Sequence, residues 1–566
     1  MSEILVEIQG ISKSFPTQNT PALKNITASI PKGKIVGLVG PDGSGKTTLI
    51  RLIAGLLIPS SGKISVCGYD TIKEAAFIHY LIGYMPQKFG LYEELSVQQN
   101  LNLYADLKNV VGEEKRQAIE KLLHFTDLGK FTTRLARNLS GGMKQKLGLA
   151  CALIKKPDLL LLDEPSVGVD PLSRRELWKM VENLIHEGIS VVWSTAYLDE
   201  AERCDYTLLL NAGELLYNGD PKILTEKMQG RVFAISVENE RRKLLFDLLK
   251  NPQVIDGVIQ GRDLRIVMRE NAEGPKSAHK IAPRFEDAFI AILGGGPGGE
   301  SALAEKTPFI EKGEGMAIQT ERLTKKFGNY TAAEEISLEV KRGEVFGFLG
   351  PNGAGKTTTF KMICGLLAPT SGRAFVNGLD LQKSPSTARA GIGYMAQKFS
   401  LYGDLSVRQN LDFFAGIYNL KNHAKHEAIE QMIEIFDLRP YLNASSETLP
   451  LGYKQRLSLA CATMHHPKIL FLDEPTSGVD PIMRREFWNH INGLVGKGIT
   501  IMITTHFMEE AEYCDRIALI YRGKIIQMDT PDALKELAKS TEYPNPTLED
   551  AFVKIIEEYD HVPHQQ

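Results

Sequence analysis

A long internal repeat sets what this chain can fold into. GPDGSGKTT begins at Gly40 and returns as GPNGAGKTT at Gly350; GYMPQKFGLY, with Gln87, returns as GYMAQKFSLY, with Gln397; LLDEPSVGVDP, with Asp163, returns as FLDEPTSGVDP, with Asp473. Each pair lies 310 residues apart (350 − 40, 397 − 87, 473 − 163), and the same offset joins Asp205 to Asp515 and Pro221 to Pro531. A match this long, without net insertion, is duplication of a whole domain rather than the short period of a solenoid. At 566 residues the chain is too long for a single core, and two larger and two smaller units suit its length.

Between the copies, 231–280 has no counterpart. It alternates at Phe233, Ile235 and Val237, passes through a helical run of Leu244, Leu245, Leu248 and Leu249, and ends in two short strand-like runs turning at Gly261. This pattern predicts a small β-α-β-β unit. APRFEDAFIAIL (282–293) matches NPTLEDAFVKII (545–556), so both halves should finish on the same helix. GGGPGGESALAEKTPFIEKGEG (294–315) is expected to be a flexible, slightly acidic linker. The predicted domains are 1–230, an accessory α+β extension with closing helix over 231–293, the linker over 294–315, and a second copy over 316–566.

KIVGLVGPDGSGKTTLIRLIAGLL reads as an apolar strand, a Gly-rich turn and a helix starting at Lys-Thr-Thr. That context supports G-x-x-x-x-G-K-[ST] as a phosphate loop. Backbone N–H groups of Gly40, Pro41, Asp42, Gly43, Ser44 and Gly45, and of Gly350, Pro351, Asn352, Gly353, Ala354 and Gly355, the two prolines excepted, are placed to form anion sites at helix N-termini. Lys46 and Lys356 bring charge for the β- and γ-phosphates, and Thr47 and Thr357, followed by Thr48 and Thr358, offer hydroxyls to Mg²⁺. A second magnesium contact has to come from a carboxylate at the end of a neighbouring buried strand. DLLLLDEP and KILFLDEP supply Asp163 and Asp473 there. The adjacent Glu164 and Glu474 are candidates to polarise an attacking water.

Phosphate loop, LSGGMKQ (139–145) and LLDEP, in this order, resemble the ATP-binding-cassette (ABC) family over nearly the whole chain outside the insertion and linker. The resemblance implies an α/β fold of two tandem P-loop NTPase cassettes, each with a helical signature subdomain, plus the small α+β insertion after the first. It implies Phe15 and Phe327 as aromatics that stack on adenine. Gln87 and Gln397 would link nucleotide and magnesium to a membrane partner, with Gln397 also serving catalysis. His506, in TTHFMEEAEYCD, would contact the γ-phosphate and the attacking water. Ser140, Gly141 and Gly142 would form the signature that faces a nucleotide. ATP and Mg²⁺ are the implied substrate and cofactor.

Each half lacks one family feature. The first has Ala196 where the second has His506; the second has LPLGY, with Pro450 and Leu451, where the first has LSGGM. In the family, two cassettes pack head to tail, with each ATP between one phosphate loop and the other signature. Such intrachain pairing would bring both departures to a single composite site, around Lys46. The other site would unite Lys356, Thr357, Gln397, Asp473, Glu474 and His506 with Ser140, Gly141 and Gly142. Pro450 brings neither hydroxyl nor N–H, yet proline is tolerated in a first helical turn, so the helix should survive while its anion binding weakens.

A net charge of −3, 43% hydrophobic residues and 24% charged residues argue against a general nucleic-acid surface. The six cysteines form no C-x-x-C pair and read as buried reduced thiols. No apolar run reaches the roughly 18 residues of a membrane span, and the start lacks a basic segment followed by an apolar core. These features, with closing helices that resemble those of ABC-2-type export ATPases, point to a peripheral ATPase on the cytoplasmic face of a bacterial inner membrane. Its expected partners are two similar integral membrane permease subunits, because the segments following Gln87 and Gln397 are nearly duplicated. The alternative is a tandem ABC-F-type ATPase acting on ribosomes. That type would be expected to carry a basic, long-helical connector and two intact signatures. A DNA-repair or chromosome-structure ATPase would need heptads or zinc-ligand cysteine pairs, and neither is visible.

Overall fold

The computed structural model describes residues 3–16, 20–87, 90–311, 313–383, 385–397, 400–541 and 544–561. Lys88, Phe89, Lys398 and Phe399, which open the near-duplicate segments, lie outside the described residues. The chain divides into two compact units: 1–230 with 282–294, and 231–281 with 295–566.

In the first unit the central sheet runs Glu214–Gly219, Tyr206–Asn211, Ile35–Val39, Ser190–Thr195, Leu159–Asp163, Ile82–Met85. Its strands pair in parallel except at the Glu214–Gly219 edge. Ile35–Val39 and Leu159–Asp163 are buried at every position, which is why they read as unbroken apolar runs rather than alternating ones. An antiparallel sheet built around Ile4–Lys13 shares one core with the central sheet and the helix Lys46–Ile53, through Ile8, Ile26, Leu38 and Leu49. The helices Val97–Leu107, Gly112–Phe125 and Gly141–Ala152 contribute to a second core, with Leu101, Ile119, Leu122 and Leu147. Ser96 and Gln99 cap the first of these reciprocally, supplying partners that helix-end amides lack.

The second unit repeats this plan. Its central sheet runs Ile392–Met395, Ile469–Asp473, Thr500–Thr505, Val345–Leu349, Arg516–Tyr521, Lys524–Asp529. Its helical part is Val407–Ile417, Asn422–Ile435 and Leu451–Thr463.

Two expectations about the middle of the chain need correction. The segment expected as one accessory block over 231–293 is divided. The closing helix Phe285–Ile292 belongs with the first unit, whereas 231–281 folds with the second. The insertion is a four-stranded antiparallel sheet in the order Val254–Gln260, Asp263–Met268, Val232–Ser236, His279–Lys280, with the helix Arg241–Leu249. It therefore carries one short strand more than the predicted β-α-β-β. The supposed flexible linker is largely docked on the helix Pro481–Gly496. Ser301 caps the short helix Ala302–Lys306 and its Oγ lies 3.0 Å from His490 Nδ1, while Leu303 and Ala304 are buried. The physical reason is local: Gly493 has no side chain, and a Cβ there would meet Ala304 Cβ at 2.6 Å.

Five of the cysteines are buried and Cys67 is half-buried, all as free thiols. Among the described residues no helix is long and apolar enough to cross a membrane.

Candidate functional site

Each phosphate loop leaves the C-terminal end of a buried central strand and enters a helix whose N-cap glycine is left-handed, Gly45 at φ 106° and Gly355 at φ 102°. Glycine is required for close approach as well as for φ. A Cβ would meet Ala22 O at 2.6 Å in the first loop and Ala332 O at 2.3 Å in the second. Lys46 Nζ donates to Gly40 O at 2.8 Å and Pro41 O at 3.1 Å. Lys356 Nζ donates to Gly350 O at 2.7 Å and Pro351 O at 3.1 Å. Both ammonium groups are thus folded over their loops, each a few ångströms from a glutamate: Lys46 is 3.5 Å from Glu164 Oε1 and Lys356 is 3.8 Å from Glu474 Oε1.

The strand-end carboxylates sit where the sequence pattern predicts. Thr47 Oγ1 donates to Asp163 Oδ1 at 3.1 Å, and Thr357 Oγ1 to Asp473 Oδ1 at 3.3 Å. Asp163 Oδ2 is buried with no hydrogen-bond partner among the described residues. A hydroxyl beside a carboxylate with a spare oxygen is a donor set that fits Mg²⁺, which takes few protein oxygens and shares the rest with water and phosphate. Burial pushes the Asp163 carboxyl up to about 6, and a divalent cation there would act in the opposite direction. Burial likewise raises Asp473, against hydrogen bonds from Thr504 and Thr357. Gln87 and Gln397 meet the glutamates: Gln87 Nε2 donates to Glu164 Oε2 at 2.6 Å and Gln397 Nε2 to Glu474 Oε2 at 2.7 Å.

Glu164 and Glu474 themselves adopt positive φ, 52° and 47°, an uncommon conformation for a residue with a side chain and one that concentrates at functional sites. Their amides are held by the neighbouring strand, Glu164 N by Ser194 O at 3.1 Å and Glu474 N by Thr504 O at 3.0 Å.

The two sites differ at His506 and at Thr504. His506 is buried, with Nδ1 3.4 Å from Glu474 Oε2 and Nε2 without a hydrogen-bond partner among the described residues. Ala196 takes its place in the first unit. Burial pushes the Glu474 carboxyl up, but His506, Lys356 and Gln397 outweigh it and leave the group below the usual carboxylate range. An ionised Glu474 can accept a proton from water. Thr504 was not anticipated. It lies directly across the parallel register from Asp473, and its Oγ1 donates to Asp473 Oδ1 at 2.6 Å while accepting from Glu474 N at 3.0 Å. Its counterpart Ser194 faces Asp163 in the same register, but its Oγ has no partner among the described residues. A hydroxyl residue near the end of each buried strand was the signal available in the sequence.

At the signature helices, Ser140 is exposed and caps Gly141–Ala152, its Oγ accepting from Met143 N at 3.3 Å. Pro450 is the exposed N-cap of Leu451–Thr463 and makes no side-chain cap bond. The helix therefore persists without the hydroxyl, as its tolerance of proline implies. Leu451 is half-buried and Gly452 buried, like Gly142. Phe15 is half-buried and Phe327 is 51% exposed. Lys13 lies 5.2 Å above the first ring and Lys325 lies 5.3 Å above the second.

The family profile described as ABC transporter matches residues 23–167 and 333–477. The chain is 55% identical over 572 residues to "Probable multidrug ABC transporter ATP-binding protein YbhF" of Escherichia coli (strain K12), covering 99% of each chain. It is 40% identical over 220 residues to "Nod factor export ATP-binding protein I" of Burkholderia lata, covering 39% of this chain and 72% of that one. It is 38% identical over 225 residues to "Daunorubicin resistance ATP-binding protein DrrA2" of Streptomyces coeruleorubidus, covering 40% of this chain and 70% of that one.

Proposed function

Because the chain belongs to the ABC transporter family and is an ATP-hydrolysing enzyme, we propose that it is the ATPase subunit of an ABC-2-type export complex. It energises efflux of a small molecule, drug-like or other, through two similar integral membrane permease subunits, from the cytoplasmic face of a bacterial inner membrane. The observation that carries this reading is the end-to-end similarity to a multidrug transporter ATP-binding protein, supported by the shorter matches to two ATP-binding proteins named for Nod factor export and daunorubicin resistance.

Within that subunit the two composite sites are unequal. Head-to-tail pairing of the cassettes sets Lys356, Thr357, Asp473, Glu474 and His506 opposite the Ser140 signature, and this site turns ATP over. There Thr357 and Asp473 would hold Mg²⁺, which when bound would supply charge neutralisation for phosphate, while Glu474 takes the proton of the attacking water and His506 orients it. The Lys46 site, with Ala196 and the Pro450 helix end, holds ATP and hydrolyses it poorly. Loss of one hydrogen bond to a charged group removes roughly 1.5–3 kcal/mol, a slowing of about one to two decades.

The test is fractionation of cells that express the chain with and without the permease. The expected result is sedimentation with membranes only when the permease is present, with integral proteins retained through detergent solubilisation. Migration with ribosomes through a sucrose gradient, independent of membranes, would overturn the export reading in favour of an ABC-F-type role.

A further inference from the structure

Asp205 and Asp515 occupy the same place in the two cassettes but are neutralised differently. Each is bound to the start of the strand that enters its phosphate loop. Asp205 N donates to Ile35 O at 3.0 Å, and Asp205 Oδ2 accepts from Ile35 N at 2.9 Å. Asp515 N donates to Val345 O at 2.8 Å, and Asp515 Oδ2 accepts from Val345 N at 2.9 Å. In the second cassette this residue also closes the segment that begins at His506 and runs through the helix Met508–Ala511. The aspartate therefore joins the histidine segment to the strand that ends in the phosphate loop.

In the first cassette the counter-charge is local: Lys34 Nζ lies 3.2 Å from Asp205 Oδ1, with both side chains substantially exposed. In the second cassette the residue 310 positions on from Lys34 is Glu344. That replacement removes the local lysine: the Glu344 carboxyl is pushed up by burial and by the Asp515 charge and pairs with Arg516 at 3.4 Å, so it brings no cation to Asp515. The cations come instead from the insertion. Arg241 Nη2 donates to Asp515 Oδ1 at 2.8 Å and to Cys514 O at 3.0 Å. Arg242 donates to both carboxylate oxygens, at 3.0 and 3.1 Å, and to Tyr513 O at 3.0 Å. Gly261 N of the insertion adds a bond to Glu512 O at 3.2 Å. Residues 512–515 are thus gripped one after another by the insertion, and Asp515 is kept below the usual carboxylate range because the two guanidinium groups outweigh its burial. A fork-shaped guanidinium holds a carboxylate and a carbonyl together in a way that one ammonium cannot.

We propose that the insertion 231–281 is a positioning unit for the second cassette, in which Arg241 and Arg242 replace the lost local lysine and hold the His506 segment in register with the strand feeding the second phosphate loop. This rests on the assignment of His506 and Glu474 to the hydrolytic site. Only the cassette that retains the histidine receives this support, while the first cassette keeps its own lysine and needs none.

The test is ATP turnover by the full-length chain carrying Arg241→Ala with Arg242→Ala. The expected result is a fall in kcat of about tenfold with KM changed less than about twofold, because positioning acts on the reacting arrangement rather than on nucleotide binding. Adding the same pair to His506→Ala should cause no further loss, since residues that act through one another do not add. Glu344→Lys, which restores the first cassette's local charge, should recover part of the lost turnover. If the double variant does not purify folded, Arg242→Lys, which keeps charge and loses the fork, is read in the same way. Unchanged kcat, or an equal further loss in the His506→Ala background, overturns the positioning role. Full turnover in His506→Ala alone overturns both this role and the site assignment beneath it.

Discussion

His506 Nδ1 stands 3.4 Å from Glu474 Oε2, whereas the first cassette has Ala196 at the matching sequence position. Both glutamates otherwise share a positive φ, a glutamine donor and a lysine within 4 Å. The difference in environment therefore lies in the histidine and the threonine that accompany only Glu474. Glu474→Gln should remove nearly all hydrolysis, since losing a positioned acid or base costs about 10²–10⁴-fold. Glu164→Gln should leave most of it. Steady-state phosphate release from the two purified variants decides the matter, and equal losses would count against unequal sites.

Ala196 and the Pro450–Leu451 pair are far apart in sequence and share a site only under head-to-tail pairing. Under the proposed pairing, Ala196→His alone would restore a γ-phosphate contact and leave the opposing helix end without its hydroxyl. Pro450→Ser with Leu451→Gly would restore that end and leave the water without its histidine. Combined in a Glu474→Gln background, the three changes should raise turnover by more than the sum of the separate repairs, because groups completing one site couple strongly. A purely additive result would place the departures in different sites.

Thr504 Oγ1 bridges Asp473 and the Glu474 amide, at 2.6 and 3.0 Å. Thr504→Val keeps the shape and deletes both bonds, so kcat should fall by about ten- to a hundredfold, the rate equivalent of one hydrogen bond to a charged group. Thr504→Ser should retain most activity. Ser194→Ala should have little effect, as the Ser194 hydroxyl has no partner among the described residues. Parallel kcat measurements on the three variants check this.

His490 holds the former linker through Ser301, and burial lowers its pKa from 6.5 to about 4. The folded chain therefore favours the neutral ring. This contribution is fully present above about pH 6.5 and is lost as pH falls toward 4, amounting to about 3 kcal/mol at the acid end. Denaturant unfolding followed from pH 7 to pH 4 should show that loss in the natural chain and a flatter profile in His490→Gln. Identical profiles would show that the ring does not report on linker docking.

Much of the candidate site is legible in the sequence. Phosphate loops need a strand, a glycine turn and a helix, and each of those is a local pattern; so is a buried strand ending in a carboxylate, and the 310-residue offset repeats all of them. The survival of the Leu451–Thr463 helix behind Pro450 was equally readable, because a helix end tolerates a residue that cannot donate. Thr504 was less visible: its importance depends on lying beside Asp473 on a different strand. The linker's glycines suggested freedom, but docking was decided by whether a small surface existed to receive Ser301 and Ala304, and Gly493 provides it. Most dependent on tertiary structure was the allegiance of the insertion. Periodicity could predict its strands and helix, since those follow from neighbours two to four residues away. It could not assign 231–281 to the second cassette, because the deciding ion pair joins Arg242 to Asp515 across 273 residues. Charge acts through space, and the fold alone determines which distant carboxylate an arginine reaches.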